Sequence, residues 1–95
     1  MIVGVLRIEL FLPMPLSLKE KRGSIKKILG RCRSRFPVSC AETGLLDLWQ
    51  RSELAFVMVG NDRDQIRSVF DRIEAEIEQI GVAELCASET DFLDY

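Results

Sequence analysis

Ninety-five residues, 47% of them hydrophobic, make one domain (1–95) with a single core and leave no room for a second. The formal net charge is only -2, and the chain has no histidine, which excludes imidazole acid-base chemistry at neutral pH. The charge is unevenly placed: residues 17–36 hold eight of the thirteen cations and one of the fifteen acids, so that segment carries +7 and the rest -9.

The opening MIVGVLRIELFLP alternates through Leu6, Arg7, Ile8, Glu9 and Leu10, which predicts a strand over residues 2–12 with one buried face. Arg7 and Glu9 interrupt the apolar run, and neither a basic leader nor a small-residue cleavage site accompanies it. A signal peptide or membrane span is therefore not expected. Pro13 and Pro15 end the strand. Ser17 stands three residues before Glu20, the spacing of a capping box, and starts a helix. Leu18, Ile25, Ile28, Leu29, Cys32 and Phe36 fall on one arc at about 100° per residue, and Pro37 stops the helix.

VSCAET (38–43) reads as a short strand, Gly44 as a turn, and residues 48–59 as a longer strand that is continuously apolar at LAFVMV. The two predict a hairpin. Asp62 and Gln65 repeat the capping-box spacing, and Ile66, Val69, Phe70, Ile73, Ile77 and Ile80 line a second helix that Gly81 caps. VAELCAS (82–88) supplies the last strand, leaving SETDFLDY as an acidic tail. The order βαββαβ predicts an α+β, ferredoxin-like fold: a four-stranded antiparallel sheet with two helices on one face and the other face open. Cys32, Cys40 and Cys86, odd in number and each in an apolar context, are expected as reduced core residues of a cytoplasmic protein. The glycines form no phosphate-binding loop or dinucleotide fingerprint, and no cofactor, metal or catalytic residue is expected.

At SLKEKR (17–22), followed by the basic helix, and again at DLWQR (47–51), leading into the apolar strand, the chain resembles the YlxP-like family of small bacterial proteins over nearly its whole length. The resemblance implies a ferredoxin-like fold and a bacterial cytoplasmic protein. It also implies a family often encoded beside translation-initiation and ribosome-maturation factors, without an established enzymatic activity. Members often carry a polar turn with a histidine before DLWQR. Here that turn is TGLL, so no imidazole role carries over.

The basic helix is the foremost functional signal. Lys19, Arg22, Lys26 and Arg33 cluster on one side of its apolar stripe, and Lys21, Lys27, Arg31 and Arg35 occupy the rest of the exposed arc. Between Lys26 and Lys27 on the wheel lie Gly23 and Gly30, with Ser34 close behind, a bare strip of backbone. An interior helix glycine costs about 1 kcal/mol against alanine, and close approach of a phosphate backbone is a reason to accept that cost. A solvated charged face is the competing reading, weakened by the absence of acids four residues away.

Elsewhere the signals are weaker. SELAFVMV (52–59) falls where a sheet-based RNA motif would lie but lacks its basic and glycine positions, and Leu54 replaces an aromatic, so base stacking on the sheet is not expected. Phe56, Met58 and Val57 are expected in the core or at a subunit interface. Trp49 is expected to anchor the hairpin under the sheet, with a partner-binding role as the alternative. Glu9 and Glu84 are candidates to meet on the open face as an acid-base pair, although Arg7 nearby favours a merely solvated face. The residues together predict a non-enzymatic protein that docks its first helix on structured RNA. Ribosomal RNA or a ribosomal subunit is the target class the resemblance implies. The alternative is a homo-oligomeric structural or adaptor protein that uses the open sheet face, or the acidic C-terminal region, for protein contacts.

Overall fold

The computed structural model describes residues 1–95 in the order β1 (Ile2–Phe11), α1 (Leu18–Arg35), β2 (Ser39–Gly44), β3 (Arg51–Gly60), α2 (Arg63–Ile80) and β4 (Glu84–Asp94). The strands form one antiparallel sheet in the order β2-β3-β1-β4, the expected ferredoxin-like arrangement. Leu6, Ile8 and Leu10 of β1 are buried, and across the register Leu6 meets Phe56 and Ile8 meets Leu54. The helices complete this face with Ile25, Ile28, Leu29 and Cys32 from α1 and Ile66, Val69, Phe70, Ile73 and Ile77 from α2. Each large apolar side chain so buried stabilises the fold by about 1.5–3 kcal/mol, which makes this cluster the main source of stability. Gly4 sets how deeply α2 sits: a Cβ there would lie 2.5 Å from Ile66 Cγ2 and 3.2 Å from the Phe70 ring.

The helix ends follow their sequence signals with two differences. Ser17 Oγ accepts the Glu20 amide at 3.1 Å, while the Glu20 carboxylate reaches one residue beyond the cap and accepts the Leu16 amide at 2.7 Å. Asp62 accepts the Asp64 amide at 2.9 Å and makes no capping box with Gln65, so α2 begins at Arg63. Gly81 closes α2 with φ 79°, the left-handed conformation that favours glycine at a helix end.

Larger corrections concern the strands. The last strand does not stop at residue 88: Ser88 to Asp94 pair with Ile8 to Ile2 of β1, so the expected acidic tail is an edge strand. Phe92, on the helix side, lies beneath the guanidinium groups of Arg63 (5.5 Å) and Arg67 (4.8 Å), contacts that hold this end of β4 to α2. Of the core and interface alternatives for Phe56 and Met58, the fold realises the core, because alternation along β3 turns them to the helices and leaves Val57 and Val59 on the open side. Cys86 is exposed on β4 rather than part of the core, while Cys32 and Cys40 are buried as expected.

Burial pushes the Cys32 thiol up to about 11, with the neighbouring Cys40 and Glu76 adding to the shift. At pH 8, iodoacetamide should therefore label Cys86 alone in the native protein, with Cys32 and Cys40 modified only after unfolding. Because the folded value lies above the ordinary 9.0, Cys32's contribution to stability is complete below pH 9 and is lost as the pH rises to about 11. A Cys32→Ala variant should lose thermal stability less steeply over that interval, and a midpoint series against pH would show it.

Candidate nucleic-acid interface

The eight cations of α1 divide into two sets once the chain is folded. Glu76, a buried carboxylate of α2, receives Arg31 at 3.3 Å and Arg35 at 2.6 Å, so the helix pair is cross-tied by one acid. Arg33 donates to the Cys40 carbonyl at 2.7 Å. Lys21 is not a surface residue: its side chain is 1% exposed, with Nζ 2.9 Å from Glu42, which corrects its assignment to the binding face. Lys19, Arg22, Lys26 and Lys27 remain exposed and make no ion pair. Gly23 and Gly30 lie among them with open space where a side chain would be, and Ser34, also exposed, donates to the Arg31 carbonyl of its own helix.

Lys21 also fixes the loop between β2 and β3. Its ammonium donates to the carbonyls of Leu45 (2.7 Å) and Leu46 (3.4 Å), and Glu42 accepts a second hydrogen bond from Ser52 at 2.7 Å. Leu45 has φ 57°, a left-handed conformation a leucine adopts only at a cost of about 1 kcal/mol or more. On the other side the Leu12 amide bonds the Gln50 carbonyl at 2.7 Å, and Gln50 Nε2 donates to the Pro13 carbonyl at 3.1 Å. The loops 12–17 and 45–50 are thus fastened together beside the first turn of α1.

Trp49 sits in this loop pair and is 51% exposed, so the expectation that it anchors the hairpin under the sheet is corrected. The start of β3 at Arg51, three residues later than expected, is what frees it. Met14, Leu16, Leu46 and Leu48 of the same two loops are exposed as well, residues that no sequence pattern singled out. Glu42 and Glu76 were missed as well. Glu76 lies between Ala75 and Ile77, an apolar setting that is the available signal for a buried acid, and Glu42 shares its strand face with the buried Cys40.

The open sheet face is different in character. Glu9 lies opposite Ala87 of β4 and Glu53 of β3, while Glu84 lies opposite Phe11, so the expected Glu9–Glu84 pair does not form. Arg51 holds Glu9 at 2.5 Å, Thr43 donates to Glu53 at 2.9 Å, and Arg7 lies between Glu89 and Asp91 at 3.4 Å from each. A cleft of about 360 Å³ opens over Arg7, Glu9, Glu53 and Glu89. Its acidic lining is unsuited to a polyanion.

The geometry joins the two sequence motifs, since Lys21 of SLKEKR binds the carbonyls next to DLWQR. Residues 3–90, which contain both, match the family model described as a protein of unknown function, DUF503. The chain belongs to that family. It is 36% identical over 76 residues to the uncharacterized protein YlxP of Bacillus subtilis (strain 168), covering 80% of this chain and 83% of that protein. Among solved structures, the structural-genomics protein YJCS aligns with TM-score 0.64 at 10% identity, over 97% of this chain and 99% of that one. SnoaB, a cofactor-independent oxygenase from Streptomyces nogalater, aligns with TM-score 0.51 at 11% identity, over 99% and 92%. Likenesses this distant in sequence show that the DUF503 chain shares their fold and nothing more. No helix of the chain is long and apolar enough to cross a membrane.

Removing one member of the Lys21–Glu42 pair strands the other below the surface. Lys21→Met should cost about 3–5 kcal/mol in urea unfolding, whereas Lys21→Met combined with Glu42→Leu should recover most of that loss. Equal losses in the single and double variants would show that the pair does not act as a unit.

Proposed function

We propose that this DUF503 protein binds structured RNA by laying the free face of α1 along the phosphates. Its role is binding rather than catalysis. Ribosomal RNA or its precursor is the target class suggested by the family resemblance, and a cytoplasmic location goes with it. One observation carries the reading: Lys19, Arg22, Lys26 and Lys27 stand without acidic partners around an open glycine strip, while the other four cations of the same helix are all engaged within the molecule. A solvated helix face ordinarily mixes both signs, and the binding face of a polyanion-binding helix does not. Lysines suit this task because a phosphate rewards a point charge on a mobile stem without demanding a fixed fork geometry.

With four phosphates engaged, log affinity should fall against log salt with a slope of about -3 to -4. Lys26→Gln with Lys27→Gln should flatten that slope by about 2 and weaken every RNA by a similar factor. Affinity that ignores salt, or no binding at about 50 mM salt, would remove the proposal. The glycine strip offers a separate test, since a side chain at Gly30 meets nothing in the free protein. Both Gly30→Ala and Gly30→Gln should raise helix stability by up to about 1 kcal/mol. Only Gly30→Gln, the bulkier of the two, should weaken RNA binding. If both variants bind as the parent does, close backbone approach has no part in binding.

A further inference from the structure

The chain exposes ten large hydrophobic side chains, and five of them, Met14, Leu16, Leu46, Leu48 and Trp49, belong to the two fastened loops beside the first turn of α1. Scattered singly, exposed apolar residues need no explanation; gathered on one rigid tip they do. The tip is rigid because Lys21, Gln50 and Leu12 hold its backbone from both sides, and Leu16 is tied to Glu20. Its ordering cost is already met before any partner arrives. Lys19 and Arg22, both free, lie on the helical turn to which the tip is fastened.

We infer that this tip is an apolar wedge for unpaired bases, so that the RNA recognised is a stem adjoining a bulge or loop rather than a continuous duplex. The inference rests on the phosphate-binding reading of α1 and adds what that reading lacks, a means of choosing among RNAs. Of the acids at the tip, Glu20 is occupied by the Leu16 amide and Asp47 stands alone, so the two free cations Lys19 and Arg22 outnumber the free acid and favour a phosphate-bearing partner. Protein interfaces are depleted in lysine around their apolar centres, whereas an indole or aliphatic wedge flanked by lysine and arginine matches how proteins unstack bases while holding the adjoining phosphates. Single-stranded bases offer a π-face to Trp49, and A-form duplex does not, since its bases are stacked and its major groove is too narrow for side chains.

Trp49 is the single tryptophan, so its emission reports the wedge directly. The full chain is titrated at low salt with a hairpin RNA carrying one unpaired adenine in its stem and with the same hairpin without it. The bulged RNA should bind more tightly and quench Trp49, and Trp49→Ala should weaken it by about tenfold or more while leaving the plain hairpin unchanged. Trp49→Phe should restore most of the difference. Salt-dependent binding that is equal for the two hairpins, with emission unchanged, overturns the wedge and leaves the phosphate reading standing. Failure of both hairpins to bind removes both. A loss of binding by Trp49→Ala to intact ribosomal subunits, with none to deproteinised ribosomal RNA, would assign the tip to a protein and overturn the RNA assignment.

Discussion

The Lys21 ammonium, enclosed by the Glu42 carboxylate and the carbonyls of Leu45 and Leu46, is the contact on which the arrangement of α1 and its neighbouring loops depends. Taking a lysine and a glutamate out of water costs several kcal/mol, and the loss is offset only where their remaining hydrogen-bonding capacity is filled. Here it is filled: Ser52 takes the second share of Glu42, and no buried side-chain polar atom lacks a partner. The geometry of α1, β2, β3 and the loop between them is thereby fixed at one point. Leu45 can hold its left-handed φ because its own carbonyl is the closest of the two that Lys21 grips.

The same contact explains part of the uneven charge. One lysine of the basic helix serves as an internal bolt, two arginines serve Glu76 and a third closes against β2, so half of the helix's cations do structural work. Glu76 shows how a single acid on α2 suffices, because a carboxylate has two oxygens and each takes one guanidinium. The other half of the cations have no such partner. They lie along the exposed arc of α1, and none of them stands within ion-pair distance of an acid.

The fold was legible in the sequence because periodicity and end signals agreed at almost every element. The β1 alternation, the α1 and α2 stripes, Ser17 and Gly81 all appear where they were expected. Residues 88–94 were not read as strand because four acids in the segment Glu84–Asp94 mask a period-two pattern whose helix-side members, Ser88, Thr90, Phe92 and Asp94, include one large apolar residue. An edge strand tolerates such charge, and acids on an edge discourage pairing with other chains. Lys21 escaped for a different reason. At 100° per residue it falls inside the apolar stripe, between Ile28 and Cys32, which signals burial, but nothing in local pattern reveals that Glu42, twenty-one residues later, will meet it. Trp49 was misplaced because the strand was started too early, which would have put the indole in the sheet.

How an acidic protein, with a sequence pI near 5.1, presents a cationic face follows from distance. The free cations lie on the outer side of the helix layer, and the cleft lined by Glu9, Glu53 and Glu89 lies on the far side of the sheet. The fold measures 19 Å along its shortest principal axis, and the Debye length at physiological ionic strength is about 8 Å. Each face is therefore screened from the other, and a phosphate chain near α1 responds to the charge within that radius rather than to the net value of -2. The acidic face has a consequence of its own, since it turns a polyanion away from every approach but the helix. Under the binding role proposed above, the opposed faces orient the encounter before any contact forms, and the fastened loop tip at the start of α1 then lies within the region to which a polyanion is steered.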